Sequence, residues 1–471
     1  MNRRTFFKNG SLLTLGTTLL QPFNTSASNI SFDIGDKNKK AKNIIIVVSD
    51  GMSIGTLNMA DLYLSRKTGK GSNWLQLYKD NRVNRALMDM ASASSIVTDS
   101  AAASSSWGGG ARINNGALNV SKDGEEHMPI WQKFKQASKK AGCVTTVPIT
   151  HATPAGFCIN SKSRNAQETI AEKYLEQKFD VLMGGGGDYF SSEKRKDKID
   201  MYQKFSSNGY EVVKTRNEMI SAPTKKPILG VFNDGGLPYS KDRENNKELS
   251  KKIPTLAEMT KKAIDVMKDN PKGFVLQVEA GKVDWAAHGN DITGLIYDQI
   301  AHDEAVQVAM DFAEQNDDTL VIITTDHGNA NPGVIYGSKA NDNFDAIQKY
   351  KYTNEWILNG IGKETSISGV KERVDYANNI ALTTEECNLL LSYYKKLQKQ
   401  EGLYNPKQLP FKVLAEIQKQ HNSVGWISMQ HSADYVELAM YGPGSHLLKP
   451  FIKNTDLHYL MLEAAEVENK F

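Results

Sequence analysis

Three short runs of apolar residues, each followed by an acidic residue, limit most strongly how this chain of 471 residues can fold. The runs span residues 43–49, 274–278 and 319–325, and the acids that follow them are Asp50, Glu279 and Asp326. Continuous apolar runs rich in β-branched residues are typical of strands that are covered on both faces of a parallel sheet. Such sheets bind ligands outside the carboxyl ends of their strands, so we expect the three acids to contribute to a site there.

Further strand and helix patterns follow the same plan. Residues 143–148, 181–183 and 436–441 are strand candidates, and residues 253–267 and 303–315 show helical patterns. Strands that alternate with helices predict an α/β fold in which a mostly parallel central sheet is flanked by helices.

Residues from about 331 to 425 differ in composition, being rich in Lys, Gln, Asn and Tyr, with a helical pattern at residues 384–399. We interpret this segment as an insertion that decorates the core. The chain must then return to complete the sheet with the strand at 436–441. The predicted organisation is a single domain over residues 29–471 that contains this insertion and follows a leader over residues 1–28.

The leader holds the sequence Asn2-Arg3-Arg4-Thr5-Phe6-Phe7-Lys8, then an apolar stretch over residues 11–20 and small residues at 25–28. A basic end, a short apolar segment and small residues are the parts of a secretory leader, and the two arginines resemble a twin-arginine export signal. We therefore expect the mature protein in the periplasm or outside the cell. No later apolar run is long enough to span a bilayer, so we expect no membrane anchor.

The charges outside the leader are balanced. The chain has 57 Lys and Arg against 54 Asp and Glu, and the surplus equals the three basic residues of the leader, which contains no acid. This balance gives no electrostatic reason to expect binding to nucleic acid or to an anionic membrane. The three cysteines, Cys143, Cys158 and Cys387, are odd in number, and the sequence leaves open whether any two of them pair.

The acids at the strand ends are accompanied by histidines at spacings that suit metal ions. After Glu279 the chain places Asp284 and His288 four residues apart, so both are predicted on one face of a helix. His327 follows Asp326 directly. Carboxylates and imidazoles without thiolates form the mixed ligand set that suits Zn²⁺ beside Mg²⁺.

Two further residues fit phosphoryl chemistry. Ser100 precedes a run of small residues over 101–106 that is compatible with a helix. Backbone N–H groups at a helix N-terminus favour an alkoxide and an incoming phosphate alike. Arg164 offers a planar guanidinium that can hold two phosphoryl oxygens.

These residues lie in strings that resemble the motifs of the alkaline phosphatase family, in the family's order along nearly the whole mature chain. The strings are Asp50-Gly51-Met52, Val97-Thr98-Asp99-Ser100-Ala101-Ala102, Thr150-His151-Ala152-Thr153-Pro154-Ala155 followed by Arg164, Val278-Glu279-Ala280-Gly281-Lys282-Val283-Asp284 followed by His288, and Thr325-Asp326-His327-Gly328. As a set they are highly specific. The segment 331–425 also lies where that family carries a variable, crown-like element.

The resemblance implies two zinc ions, one magnesium ion and a serine nucleophile. For the first zinc it implies the ligands Asp284, His288 and His431, and for the second Asp50, Asp326 and His327. For the magnesium ion it implies Asp50, Thr153 and Glu279, with His151 at its edge. The nucleophile would be Ser100, and Asp99 would orient Arg164, which clamps the phosphate.

His431 competes with His421 and His446 for its place in the first zinc site. His431 is preferred because it lies just before the strand candidate at 436–441.

The resemblance also implies what the protein does and what it binds. It implies hydrolysis of small phosphate monoesters with broad specificity through a phosphoserine intermediate, release of inorganic phosphate, and a homodimer. His151 and Trp285 stand where the enteric bacterial members have Asp and Lys. These two differences leave open the identity of the third metal and the tightness of phosphate binding.

Sulfatases and phosphodiesterases of the same superfamily are the nearest alternatives. A sulfatase needs an Arg in a Cys/Ser-x-Pro/Ala-x-Arg string, and Ser100-Ala101-Ala102-Ala103-Ser104 lacks it. A phosphodiesterase needs room for a second ester arm, which Arg164 and the magnesium ligands would crowd. An exported protein that binds metal or phosphate without turnover is a third alternative, although binding alone needs no nucleophile beside the metals.

Overall fold

The computed structural model describes residues 39–400, 403–404 and 406–469, so the predicted leader lies outside the described residues. The strands are β1 (Asn43–Ser49), β2 (Asn84–Asp89), β3 (Lys140–Pro148), β4 (Val181–Gly185), β5 (Glu211–Val213), β6 (Ile228–Val231), β7 (Phe274–Ala280), β8 (Thr319–Thr324), β9 (Gly328–Asn329), β10 (Gly333–Val334), β11 (Lys399–Gln400), β12 (Leu403–Tyr404), β13 (Val424–Gly425), β14 (His431–Ser432), β15 (Val436–Tyr441) and β16 (Phe451–Lys453). The helices are α1 (Ile54–Thr68), α2 (Asn73–Lys79), α3 (Ser100–Gly109), α4 (Ile130–Gln136), α5 (Ala152–Cys158), α6 (Gln167–Glu176), α7 (Met201–Ser207), α8 (Arg216–Ser221), α9 (Ser240–Glu244), α10 (Lys247–Lys252), α11 (Leu256–Met267), α12 (Lys282–His288), α13 (Ile292–Gln315), α14 (Ala340–Ala346), α15 (Asn354–Asn359), α16 (Ile367–Asn378), α17 (Thr384–Tyr394), α18 (Phe411–Asn422) and α19 (Asn454–Ala464). Over this part of the chain, no helix is both long and apolar enough to cross a membrane.

Ten of these strands form one sheet in the order β16-β2-β15-β8-β1-β7-β3-β4-β6-β5. β15 runs antiparallel to its neighbours β2 and β8, whereas the other described pairs of this sheet are parallel. The predicted α/β fold with a mostly parallel sheet is therefore confirmed. Because β8, β1, β7 and β3 are adjacent and parallel, their carboxyl ends lie side by side at one edge of the sheet.

Helices cover both faces of the sheet because its central strands are apolar on both. In β1, Ile45 and Val47 pack in one hydrophobic cluster with residues of α11 and α13. Ile46 and Val48 pack in a second cluster with residues of α3 and α5. All four side chains are fully buried, and the burial of each stabilises the fold by about 1.5–3 kcal/mol. This burial fixes the end of β1, after which Asp50 follows.

The sequence patterns predict the central elements better than the peripheral ones. The strands β2, β5, β6 and β16 are absent from the prediction because they are short or mix polar with apolar residues. The predicted helix at 303–315 is only the second half of α13. The first half of α13 is almost entirely buried, so it lacks the one-sided apolar pattern that reveals a surface helix. The predicted helix at 384–399 ends earlier, at Tyr394.

The segment predicted as an insertion leaves the core and returns to it at one place. β10 near its start pairs antiparallel with β13 at its end, and Gly333 lies opposite Gly425. Between them, Ile357 of α15 and Leu390 of α17 are buried in the same hydrophobic cluster as Ile45 of β1. The segment thus packs against the core, and its identity as a crown-like element stays a prediction.

Candidate active site

Four adjacent strands carry predicted site residues to one edge of the sheet. These residues are Asp50 after β1, Glu279 near the end of β7, Asp326 and His327 after β8, and His151 and Thr153 after β3. Asp50, Glu279 and Asp326 are fully buried. The structure therefore brings together side chains that are up to 277 residues apart in the chain, since His327 Nε2 lies 3.6 Å from Asp50 Oδ1.

Ser100 is the first residue of α3, and its hydroxyl lies beside the histidine that follows β8. Its Oγ is 3.2 Å from His327 Nε2, and the residue is only 2% exposed. Asp99 is the N-cap of α3 and accepts a hydrogen bond of 2.9 Å from the Ala102 N–H. The Ser100 hydroxyl therefore lies at the positive end of the helix dipole, where a developing negative charge is stabilised.

Asp99 also holds Arg164. Its Oδ2 accepts a hydrogen bond of 3.0 Å from Arg164 Nη1 and one of 3.0 Å from the Gly116 N–H. The other terminal nitrogen of Arg164, Nη2, lies 3.1 Å from His151 Nε2. A guanidinium held at both terminal nitrogens keeps one orientation, which a clamp on two phosphate oxygens requires.

Three groups of side chains converge closely enough to hold cations. Within each group the ligand atoms all lie within 4.8 Å of one another. The groups are Asp284, His327 and His431; Asp50, Asp326 and His327; and Asp50, His151 and Glu279. His327 belongs to the first two groups and Asp50 to the last two, so three cation positions would lie side by side.

His288 adjoins the first group through α12. Asp284 and His288 lie one helical turn apart on α12, as their spacing predicts. His288 Nε2 is 3.5 Å from Asp284 Oδ2. Burial alone would raise the pKa of Asp284, but the neighbouring His288 and His431 hold it below its ordinary value.

His431 reaches the site through a short strand pair. It lies in β14, which pairs antiparallel with β9 so that His431 stands opposite Asn329. Its Nε2 is 3.4 Å from Asp284 Oδ1. Of its two rivals, His421 lies near the end of α18, and His446 is exposed in a 3-10 turn. Neither rival belongs to a cation-holding group among the described residues.

Three buried carboxylate oxygens of the site have no hydrogen-bond partner among the described residues. They are Asp50 Oδ1, Glu279 Oε1 and Asp326 Oδ2. A buried polar group without a partner costs several kcal/mol of stability, on the order of 2–7 kcal/mol in an apolar medium. Bound cations would remove this cost, and carboxylate oxygens beside imidazole nitrogens match the ligands of Zn²⁺ and Mg²⁺. The residues of the site therefore fit the metal ions that the sequence predicts.

The electrostatics of these side chains agree with a cation site. Burial raises the pKa of Asp50 well above its ordinary value, and repulsion by Asp326 adds to the shift. Burial also raises the pKa of Glu279 to about 7 and that of Asp326 to about 6. A nearby cation would restore the ionised forms. For His151, burial followed by the charge of Arg164 lowers the pKa to about 3, so this imidazole is neutral.

Two residues of the site are absent from the sequence-based prediction. Thr145 in β3 donates a hydrogen bond of 2.5 Å from its Oγ1 to Glu279 Oε2. Asn329 in β9 donates a hydrogen bond of 2.7 Å from its Nδ2 to Asp284 Oδ1. Asn329 lies two residues after the Asp326-His327 string, so its sequence position could have indicated that it belongs to the site. Thr145 lies within an apolar strand, and nothing in the sequence indicates its role.

Trp285 of α12 lies at the rim of this site. Its ring centroid is 6.4 Å from that of His151, in an edge-on arrangement. The ammonium group of Lys282 lies 4.6 Å from the same indole centroid and 3.6 Å from that of Tyr239. A lysine is thus present on α12, but its charge is directed at aromatic rings.

Comparison with known proteins identifies sequences that are similar to this chain. A family model described as alkaline phosphatase matches residues 41–467. Alkaline phosphatase 4 of Bacillus subtilis (strain 168) is 32% identical over 425 residues, which cover 88% of this chain and 87% of that protein. The alkaline phosphatase of Escherichia coli (strain K12) is 30% identical over 399 residues, which cover 74% of this chain and 84% of that protein.

Among solved structures, the alkaline phosphatase of Thermus thermophilus is similar over most of its length. The TM-score is 0.85 and the identity 32%, and the match covers 96% of each chain. The likeness therefore extends from the motifs around the site to the whole described fold.

Proposed function

This chain belongs to the alkaline phosphatase family and is a phosphoric monoester hydrolase, and we propose that it acts on a broad range of monoesters through a phosphoserine formed at Ser100. We further propose that two Zn²⁺ ions and one Mg²⁺ ion are its cofactors. The main support for this proposal is the position of the Ser100 hydroxyl, which is buried at the N-terminus of α3 and lies 3.2 Å from His327 Nε2.

The proposed ligands divide among three neighbouring positions. The first Zn²⁺ would be held by Asp284, His288 and His431, the second by Asp50, Asp326 and His327, and the Mg²⁺ by Asp50, Thr153 and Glu279 with His151 at its edge. The support for the third position is that Thr153 Oγ1 lies 3.4 Å from Asp50 Oδ2 and that Glu279 keeps a free buried oxygen. When bound, the ions would supply Lewis-acid charge that lowers the pKa of the serine hydroxyl and of water and neutralises the phosphate.

The side chains of this protein then perform two displacements at phosphorus. Ser100 loses its proton to solvent and its Oγ attacks, so the Oγ–P bond forms while the bond from phosphorus to the ester oxygen breaks. The departing alkoxide takes a proton from water. In the second displacement the oxygen of a water molecule attacks phosphorus, and the bond from phosphorus to Ser100 Oγ breaks. The Oγ takes up a proton, which restores the Ser100 hydroxyl, and inorganic phosphate is released. Arg164 holds two oxygens that do not react, and Asp99 keeps its guanidinium in place.

Broad specificity follows from where the recognition groups point. Ser100 and Arg164 both act on the phosphoryl group, so the leaving alcohol contributes little to binding. Rates on an aryl phosphate, an alkyl phosphate, a diester and a sulfate ester test this. We expect similar rates on the two monoesters and rates lower by several orders of magnitude on the other esters. A preferred diester or sulfate ester would contradict the proposal.

Replacement of the nucleophile tests the mechanism. Ser100→Ala is expected to abolish the acid-stable phosphoprotein that forms with radiolabelled inorganic phosphate, and to leave bound metal nearly unchanged. Ser106→Ala is a matched control, because Ser106 is buried in the same helix and its hydroxyl donates a hydrogen bond of 3.0 Å to the Ala102 carbonyl, away from the site. Normal turnover with a phosphoprotein in Ser100→Ala would overturn the mechanism.

We also propose that residues 1–28 direct export, so that the enzyme acts in the periplasm or outside the cell, and that it forms a homodimer. The support for export is the twin-arginine string at residues 2–8. Replacing Arg3 and Arg4 by Lys is expected to retain the protein in the cytoplasm, and undiminished export would contradict this.

Light scattering during gel filtration tests the proposed homodimer. A measured mass equal to that of a single chain would contradict it.

A further inference from the structure

Two of the three cysteines meet in the hydrophobic core. The Sγ atoms of Cys143 and Cys158 are 3.5 Å apart, and both residues are fully buried. Cys143 lies in β3, and Cys158 is the last residue of α5. At this distance the two sulfur atoms are in direct contact, and no other group separates them.

The chain between these cysteines carries part of the candidate site. Cys143 and Cys158 are 15 residues apart, and His151 and Thr153 lie between them. A bond between the two sulfurs would tie the end of α5 to β3 and close this segment into a loop. Cys387, by contrast, is buried in α17 within the segment 331–425.

We propose that Cys143 and Cys158 form an intramolecular disulfide in the exported protein, which fixes the segment that carries His151 and Thr153. Disulfides persist outside the cytoplasm, where we place this enzyme. A bond that closes a loop of this length restrains the unfolded chain and thereby stabilises the folded one.

The bond forms by thiol–disulfide exchange with a small-molecule or protein disulfide. One cysteine thiolate attacks a sulfur of that disulfide, giving a mixed disulfide and releasing one thiolate. The second cysteine thiolate attacks the cysteine sulfur of the mixed disulfide. This closes the bond between the two cysteines and releases the second thiolate of the oxidant. The two cysteines together lose two electrons and two protons, and the oxidant is reduced to two thiols.

The exchange takes place while α5 is detached from β3. In the folded protein both sulfurs are buried, and burial, with the contact to Cys143, raises the pKa of the Cys158 thiol well above its ordinary value. A buried, protonated thiol reacts slowly because the thiolate is the nucleophile. Oxidation therefore requires α5 to open transiently from β3 after the folded protein has been exported, and the closed bond is afterwards protected from reductants.

Counting thiols in the full chain tests the bond. The exported protein is purified without reductant and alkylated in denaturant without added reductant, after which its mass is measured. We expect one alkyl group per chain, on Cys387, and three after reduction. Peptide mapping should recover the linked pair Cys143 and Cys158. Three alkyl groups without reduction, a link to Cys387, or glutathione retained on either cysteine would overturn the proposal.

Variants and unfolding measurements sharpen this test. Cys387→Ser is the matched control and should still form the bond, whereas Cys158→Ser should not. For the wild-type chain, the oxidised form should have an unfolding equilibrium constant roughly a hundredfold lower than the reduced form at equal metal content, as expected for a loop of this length. Equal denaturation midpoints for the two forms would overturn the claim that the bond restrains this segment.

Discussion

The Nε2 atoms of His288 and His431 lie 3.0 Å apart. The Nδ1 of His288 faces the Met429 carbonyl at 2.7 Å, and that of His431 faces the Thr98 carbonyl at 3.0 Å. Because a carbonyl only accepts hydrogen bonds, each Nδ1 carries the proton, and both Nε2 lone pairs are directed at the same space. Two nitrogen atoms this close need a positive charge beside them. In the absence of metal this charge is a proton, because burial lowers the pKa of His431 but Asp284 raises it to about 9. A bound metal ion would take the place of that proton.

Removal of His431 should therefore empty one metal position. We expect His431→Ala to bind about one Zn²⁺ fewer per chain and to lose activity by at least about a hundredfold, since even residues that only support metal ligands cost 10–100-fold when replaced. Metal analysis of dialysed protein, with phosphate release from an aryl phosphate, measures both effects.

The control for this experiment is His446→Ala, because His446 is exposed and belongs to none of the cation-holding groups among the described residues. It should keep the full metal content and activity. Loss of metal in His446→Ala together with full metal in His431→Ala would show that the wrong histidine has been assigned.

The ion pair between Asp99 and Arg164 should govern phosphate affinity. Asp99→Asn removes the charge that orients the guanidinium but keeps a side-chain oxygen that can cap α3. The pair is partly exposed, with side-chain exposures of 20% and 21%, so its loss should cost about 1 kcal/mol. We expect the inhibition constant for inorganic phosphate to rise about fivefold.

The pair Asp89 and Arg112 provides the matched control for Asp99→Asn. Its side-chain exposures are 29% and 27%, and its atoms are 2.8 Å apart. Asp89→Asn should leave the inhibition constant unchanged. If both variants weaken phosphate binding equally, the effect belongs to general destabilisation and not to the orientation of Arg164.

The sequence predicts the centre of this fold because burial on both faces leaves a direct mark. The strand β1 is continuously apolar, so the sequence predicts where it ends and that Asp50 lies directly after it. The strands β5 and β16 are only three residues long, so they leave no pattern that sequence analysis can detect. Their existence depends on neighbouring strands that offer backbone hydrogen bonds.

The site could be predicted where one element carries several of its residues. Asp284 and His288 share one helix, so their spacing alone indicates a common face. His431 depends on the pairing of β14 with β9, which spacing does not reveal. The contact between Cys143 and Cys158 likewise depends on how α5 packs on β3, and for that reason the number of cysteines left their pairing open.

A buried histidine far from the metal positions should make stability depend on pH. His458 in α19 faces Lys133 of α4, with Nζ 3.1 Å from its Nε2, and the Trp107 carbonyl of α3, 2.8 Å from its Nδ1. Burial, followed by the charges of Lys133 and His127, lowers its pKa to about 4. Between about pH 6.5 and pH 4 the unfolded chain binds a proton that the folded protein does not, so stability falls as the pH falls.

His458→Gln removes this titration. The variant should be less stable than wild type at pH 7.5, and the gap should narrow by about 3 kcal/mol as the pH falls to 4, because each unit of pKa shift is worth about 1.4 kcal/mol. Denaturant unfolding in excess chelator measures the gap without a contribution from metal loss. His446→Gln should show no change in the gap, and a gap for His458→Gln that is constant with pH would contradict the prediction.

The close packing of α3 against α5 should control the position of the nucleophile. A Cβ added at Gly156 in α5 would lie 2.6 Å from Ser104 Cβ in α3, which forces the two helices apart. Alanine favours a helix over glycine by about 1 kcal/mol, but overpacking of a tight contact costs about 1–3 kcal/mol. We therefore expect Gly156→Ala to lower the melting temperature and, by moving Ser100 at the start of α3, to lower kcat. Gly337→Ala has no heavy atom within 4 Å of its new Cβ and should change neither quantity. A Gly156→Ala enzyme that is as active and as stable as wild type would contradict the prediction, because it would show that the contact between α3 and α5 accepts the new Cβ without displacing the Ser100 hydroxyl.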